Sequence, residues 1–96
     1  MNEESKDAVS FLEDAAYAIN QRASDRDVEK ERSMEAIVRA FNAVTGHSLT
    51  TTEGWAFMVL LKVKRASMPG FRPDDFVDMA AYSALMGESR SEEDTP

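Results

Sequence analysis

Apolar residues recur at helical spacing along the chain, and no stretch shows the alternation of a half-buried strand. Four helical segments are predicted, over 6–21, 27–45, 51–66 and 73–86. In the first, second and fourth, apolar side chains three or four residues apart fall on one face. The pattern predicts an all-α protein, a four-helix bundle forming a single domain over 1–88.

The third segment differs from the others because its apolar residues are continuous. The run from Trp55 to Leu61 contains seven apolar residues in succession, which cover every face of a helix. We therefore predict that this helix is central and buried, with the other three around it. A chain of 96 residues would leave part of such a surface uncovered, so we also expect a homodimer.

Local signals predict how the middle helices begin and end. The mostly polar residues 22–27 break the apolar pattern and favour either a loop or the start of a new helix. Gly46 supplies a left-handed residue after the second helix. Thr50 and Glu53 have the spacing of a capping box at the start of the third.

The fourth helix is bounded by residues with fixed conformational preferences. Pro73 suits the first helical position, because that position needs no backbone N–H donor. Gly87 is expected to end the helix. The acidic residues 89–96 contain no apolar side chain and are expected to form a disordered tail.

Charge and composition narrow the class of protein. A net charge of -7 without a basic stripe argues against direct nucleic-acid binding and against anionic lipid surfaces. The absence of cysteine excludes disulfides and thiolate metal sites. No apolar window is long enough to span a membrane, and the N-terminus does not resemble a signal peptide. We expect a cytoplasmic protein.

The third and fourth helices bring together the residues most able to carry chemistry. A connection of about six residues makes the two helices antiparallel neighbours. Lys62 and Arg65, at the end of one, should then lie beside Asp75 and Asp78, at the start of the other. Tyr82 shares the helix face of the two carboxylates.

This arrangement has two interpretations. In the first, Lys62 and Arg65 bind the phosphates of a nucleotide, and Asp75 and Asp78 hold Mg²⁺. In the second, the same residues form an interhelix salt-bridge network with Tyr82 covering the core. The network is the more ordinary interpretation, because carboxylates at a helix start are already stabilised there.

Three further residues are candidates for a site. Glu31 and Glu35, four apart on the second helix, are either additional metal ligands or part of a solvated acidic face. His47 is the single histidine and has no catalytic partner near it in sequence, which argues against a catalytic or zinc-binding role.

Motifs spread from about Arg22 to Glu88 carry a family resemblance. They are Arg26-Asp27, Glu31-Arg32-Ser33-Met34, Phe41-Asn42, Thr45-Gly46, Trp55, Phe57-Met58, Leu61-Lys62, Arg65, Asp74-Asp75, Asp78 and Ala81-Tyr82-Ser83-Ala84-Leu85. This set resembles an uncharacterised family of small proteins carried by bacteriophages and prophages. The resemblance implies the cytoplasm of an infected or lysogenic bacterial host.

That family is similar, more distantly, to MazG-like all-α nucleoside triphosphate pyrophosphohydrolases and to nucleotide-modification-associated phage domains. The shared feature is a late acid-x-x-Asp helix followed by small residues and a tyrosine, as in Asp75 to Asp78 and Ala81-Tyr82. The MazG-like enzymes also use a Glu-x-x-Glu pair on the preceding helix. This chain has Lys62 and Arg65 there instead, so the resemblance implies nucleotide binding more than hydrolysis.

Two functions follow as expectations. The first is a phage accessory protein that binds a phosphorylated nucleotide, with Mg²⁺, where the third and fourth helices meet; if it is an enzyme, it is a pyrophosphohydrolase. The second is a non-enzymatic inhibitor of a host or defence protein that uses an acidic surface against a basic partner.

Overall fold

The structure, a computed structural model, describes residues 6–29 and 33–95, and for 22–29 it describes the backbone alone. It contains helices α1 (Ala8–Glu29), α2 (Ser33–Thr45), α3 (Thr51–Ala66) and α4 (Pro73–Glu93). No strand occurs among these residues, and the all-α prediction with four helices is confirmed. None of the helices in the described ranges is both long enough and apolar enough to cross a membrane.

α4 is the helix on which both α1 and α3 pack. α3 lies along one side of it and α1 along another, whereas α2 packs mainly against α3. The core of the α1 and α4 contact consists of Ala15, Val77 and Ala81, of which Ala81 is fully buried. A side chain as small as alanine at this position lets the two helix backbones approach closely.

The prediction that α3 is buried on all sides is wrong. Gly54 is the only buried residue of this helix, and the side chains of Phe57 and Leu60 are 69% and 64% exposed. The physical reason is that α1 packs on α4 and not on α3. α3 therefore has neighbours on two sides, and its third side is uncovered.

Two of the predicted helix ends are confirmed. Gly46 has a φ of 79° and follows the last residue of α2. Thr50 and Glu53 form the expected capping box, with Glu53 N 3.1 Å from Thr50 Oγ1 and Thr50 N 2.9 Å from Glu53 Oε1. The start of α1 is capped by Asp7, whose pKa is lowered because its carboxylate accepts a hydrogen bond from the Ser10 backbone N–H.

The predicted loop or new helix start over 22–27 is wrong, because α1 continues to Glu29 and α2 begins at Ser33. No glycine or proline occurs between residues 8 and 29. Serine and aspartate cost a helix only a few tenths of a kcal/mol each, and the alanine, arginine and glutamate residues among them favour it. Polarity alone therefore does not end α1.

α4 also extends further than predicted, through Gly87 to Glu93, so residues 89–93 do not form a disordered tail. Gly87 does not adopt a left-handed conformation. Contacts with α3 hold the extension in place: Thr52 Oγ1 lies 2.8 Å from Ser89 Oγ and donates to Glu93 Oε2 at 2.7 Å. These bonds link positions that the sequence separates by about forty residues.

A close contact around Gly54 positions α2. A Cβ atom at Gly54 would lie 2.5 Å from Met34 Sδ and 2.8 Å from Val38 Cγ2, so any larger residue here would require those side chains to shift. The α2–α3 connection is held by Asn42, whose side chain donates to the Leu49 carbonyl and accepts from the Leu49 N–H, both at 2.9 Å. Both contacts determine how α2 crosses the start of α3.

Candidate ligand sites at the two ends of α3 and α4

The C-terminus of α3 lies beside the N-terminus of α4, as the sequence predicts. Lys62 Nζ is 2.9 Å from Asp78 Oδ2, and both side chains are largely buried. Arg65 Nε is 3.7 Å from Asp75 Oδ1, and Asp75 is only 3% exposed. These four residues and Arg72, the residue before α4, form a cluster that we call the basic end.

Arg72 completes the basic end, and the sequence reasoning missed it. Its Nε donates to Asp75 Oδ2 at 3.1 Å, and its Nη2 donates to the Arg65 carbonyl at 2.8 Å. The signal was present, because Arg72 precedes Asp75 by three residues across the helix start. Three cations thus neutralise two carboxylates, which leaves the cluster with an excess of positive charge.

The carboxylates of the basic end are not free to bind a magnesium ion. Both oxygens of Asp75 already face arginine side chains, and Asp78 is paired with Lys62. The described residues contain no group of three or more histidine, cysteine, aspartate or glutamate side chains arranged to hold a metal ion. As they are arranged, Asp75 and Asp78 do not fit Mg²⁺, which would have to displace cations from both carboxylates.

The other predicted site residues lie elsewhere or have a structural role. Tyr82 stacks on Trp55, with ring centroids 5.6 Å apart. His47 stacks on Phe41 in the connection after α2. Glu35 lies near the C-terminus of α4, about 15 Å or more along that helix from Asp78, so the structure does not place it with the predicted metal ligands. Glu31 is outside the described residues.

A cleft of about 400 Å³ opens at the opposite end of the α3 and α4 pair. Its apolar lining comes from Met34, Trp55 and Leu85. The polar lining comes from three helices and comprises Ser33, Glu35, Thr51, Glu88, Ser89, Glu92 and Glu93. We call this cleft the acidic end.

The carboxylates of the acidic end have unequal local support. Glu35 lies in the first turn of α2, where the helix dipole favours a negative charge. Glu92 and Glu93 lie in the last turn of α4, where the dipole opposes their charge. Glu88 and Glu92 are also four residues apart, a spacing at which like charges repel.

Two of these carboxylates have partners within the chain. Thr52 donates a hydrogen bond to Glu93, and Glu88 also has an interaction partner. The described part of the cleft lining contains no lysine or arginine. Sequence reasoning missed this site because residues 89–93 were assigned to a disordered tail. The signal was the Glu88, Glu92, Glu93 spacing, which repeats on one side of a helix.

The fold and its two charged ends define a small all-α protein with an acidic cleft opposite a paired basic cluster. The chain belongs to the family described as Domain of unknown function (DUF6378), whose model matches residues 10–90. No curated protein and no solved structure matches the chain.

Proposed function

We propose that this protein is a non-enzymatic interaction module whose acidic end binds a basic segment of a partner protein. The observation that carries the proposal is the position of Glu35, Glu88, Glu92 and Glu93 around one open cleft, where Glu88 and Glu92 repel each other. A bound cation would relieve that repulsion.

The lining of the cleft matches the side chains of such a partner. Lysine and arginine carry a long apolar stem below a charged head. Met34 and Leu85 are buried side chains that line the cleft and offer contact to the stem. Trp55 offers an aromatic surface, and the surrounding carboxylates offer ion pairs to the head.

The phage resemblance gives this interaction a biological setting. A protein of this kind would act in the cytoplasm of an infected or lysogenic bacterial host. Its partner would be a host or defence protein with a basic surface, and binding would block that surface. Complementary charge would also speed the encounter between the two proteins.

The test uses a fluorescent peptide of alternating arginine and glycine, titrated with the full chain and followed by anisotropy. We expect salt-dependent binding that Glu35→Gln combined with Glu92→Gln weakens by about 5-fold or more. A matched control, Glu13→Gln combined with Asp74→Asn, removes the same charge from exposed positions outside the cleft. Equal weakening by both pairs, or no binding of the peptide, would refute the proposal.

A second candidate function is the binding of a nucleotide at the basic end. The observation that favours it is the excess of cations there, with the side chains of Arg65 and Arg72 53% and 45% exposed. Guanidinium groups at that exposure can receive a phosphate without losing all contact with Asp75. This geometry supports an anionic ligand more than a magnesium ion.

The nucleotide candidate is tested by thermal unfolding with a panel of nucleotides, with and without Mg²⁺. Phosphate binding predicts an increase in Tm that Arg65→Gln abolishes. A metal-assisted mode predicts an increase that needs Mg²⁺ and that Asp78→Ala abolishes. If no nucleotide increases Tm, nucleotide binding is refuted and the interaction module remains the proposed function.

A further inference from the structure

One face of α3 is apolar along its length and uncovered. Phe57, Leu60 and Leu61 are 69%, 64% and 38% exposed. Glu53 lies one turn before them and Lys64 one turn after, and both are exposed. The spacing 53, 57, 60, 61 and 64 forms one stripe on a helix, and we call it the α3 outer face.

The outer face is separate from the surfaces that α3 uses within the chain. Thr52, Trp55 and Lys62 contact α4, through Ser89, Tyr82 and Asp78 respectively. Gly54 contacts α2. At 100° per residue, the outer face lies roughly opposite the α4 contacts and about a quarter turn from Gly54.

The described helices bury few of their large apolar side chains, and α3 contributes only Gly54 to the buried residues. No large side chain in the described residues is completely buried.

The outer face is suited to a second copy of itself. Its exposed apolar centre is flanked by one exposed carboxylate and one exposed cation, so the face is complementary in charge to its own image. The apolar character and the charges both indicate that a second copy covers this face.

The charges at the two ends of the outer face determine the orientation. Glu53 lies at its N-terminal end and Lys64 at its C-terminal end. A parallel pair of α3 helices would place like charges together. An antiparallel pair centred between Met58 and Val59 places Glu53 beside the partner subunit's Lys64, twice by symmetry.

We propose that the protein forms a two-fold symmetric dimer in which the α3 outer face packs antiparallel against the same face of a second copy. Phe57 then contacts the partner subunit's Leu60 at the centre, and the Glu53 and Lys64 pairs flank this apolar contact. The interface lies on the side of α3 away from α4. It does not depend on what the acidic end binds.

The first test compares Leu60→Glu with Leu12→Glu by sedimentation velocity. Both leucines are exposed to nearly the same degree, 64% and 61%, but Leu12 lies on α1. We expect the wild-type chain to sediment with twice its 10.7 kDa mass at about 0.1 mM. Leu60→Glu should weaken dimerisation about 100-fold or more, and Leu12→Glu should leave it unchanged.

A second test fixes the orientation without relying on destabilising variants. Because the chain contains no cysteine, F57C and L60C each introduce a single thiol. In the antiparallel dimer, a mixture of the two variants, one carrying a tag, should form a disulfide-linked heterodimer in higher yield than either variant alone.

Three results would overturn the proposal. One is a wild-type chain that is monomeric at about 0.1 mM. Another is a dimer that dissociates with Leu12→Glu but persists with Leu60→Glu. The third is preferential disulfide formation within each variant and not between the two.

Discussion

The two ends of the α3 and α4 pair use charge in opposite ways. At the basic end, Asp75 and Asp78 are buried or nearly so, and each is paired with a cation from within the chain. At the acidic end, Glu35 and Glu92 line an open cleft, and Glu92 lies in the last turn of α4, where the dipole opposes its charge. Ion pairs within the fold account for the first arrangement. We interpret the second as a binding site.

The largest expected effect comes from breaking the basic end at its centre. Asp75→Asn removes the charge that Arg65 and Arg72 share, and we expect a loss of about 2–3 kcal/mol in the free energy of unfolding. Urea denaturation followed by circular dichroism measures it. Asp74→Asn removes the same charge from an exposed neighbour and should cost about 0.5 kcal/mol. Equal costs would show that the basic end does not hold the fold together.

A smaller effect is expected for the second pair of the basic end. The side chains of Lys62 and Asp78 are 11% and 21% exposed, so their coupling should be about 1–2 kcal/mol in a double-mutant cycle. The exposed pair of Arg90 and Asp94 provides a control, with an expected coupling of about 0.3 kcal/mol. A coupling near zero for Lys62 and Asp78 would indicate a pair kept for binding and not for stability.

Two glycines near the acidic end should respond in opposite directions. Gly54→Ala places a methyl group against Val38 and Met34, and overpacking should outweigh the gain in helix propensity by about 1 kcal/mol. Gly87→Ala meets no atom within 4 Å and should stabilise the chain by about 0.5–1 kcal/mol. Thermal unfolding of both variants measures the difference. Stabilisation by Gly54→Ala would contradict the close α2 contact.

The smallest expected effect on stability concerns Glu92 of the acidic end. Glu92→Lys replaces a repelled carboxylate with a cation that suits a helix C-terminus, and we expect a gain of about 0.5 kcal/mol. The same variant should no longer bind the peptide of alternating arginine and glycine in the anisotropy titration. Stability gained while binding is lost would identify Glu92 as a residue kept for function. A loss of stability would show that the fold uses this carboxylate.

The sequence predicts the fold class because the helical spacing of apolar residues is a local property. Gly46, Thr50 and Pro73 also act locally, and the structure confirms their positions at helix ends. Burial was harder to predict, because it depends on which helices meet. A continuous apolar run in α3 indicates that the helix needs partners but does not identify them.

The same difference between local signals and long-range contacts explains which parts of the candidate sites could be predicted. The connection between α3 and α4 is short, so the meeting of Lys62 with Asp78 follows from the sequence. The acidic end depends on α4 continuing past Gly87, and bonds from Thr52 to Ser89 and Glu93 support that continuation. Contacts between positions so far apart leave no local pattern, and a polar tail therefore looked disordered.

The central position of α4 has a consequence for synthesis of the chain. α4 follows the other three helices in the sequence, yet it supplies Val77 and Ala81, against which α1 packs. At about 5–20 residues per second, a ribosome takes several seconds to make the segments from α1 to α4. During that interval Phe11 and Ile19 of the nascent chain lack their native cover. Translation that stops before Pro73 would therefore yield a substrate for chaperones and proteases, because α1 would have no core to join.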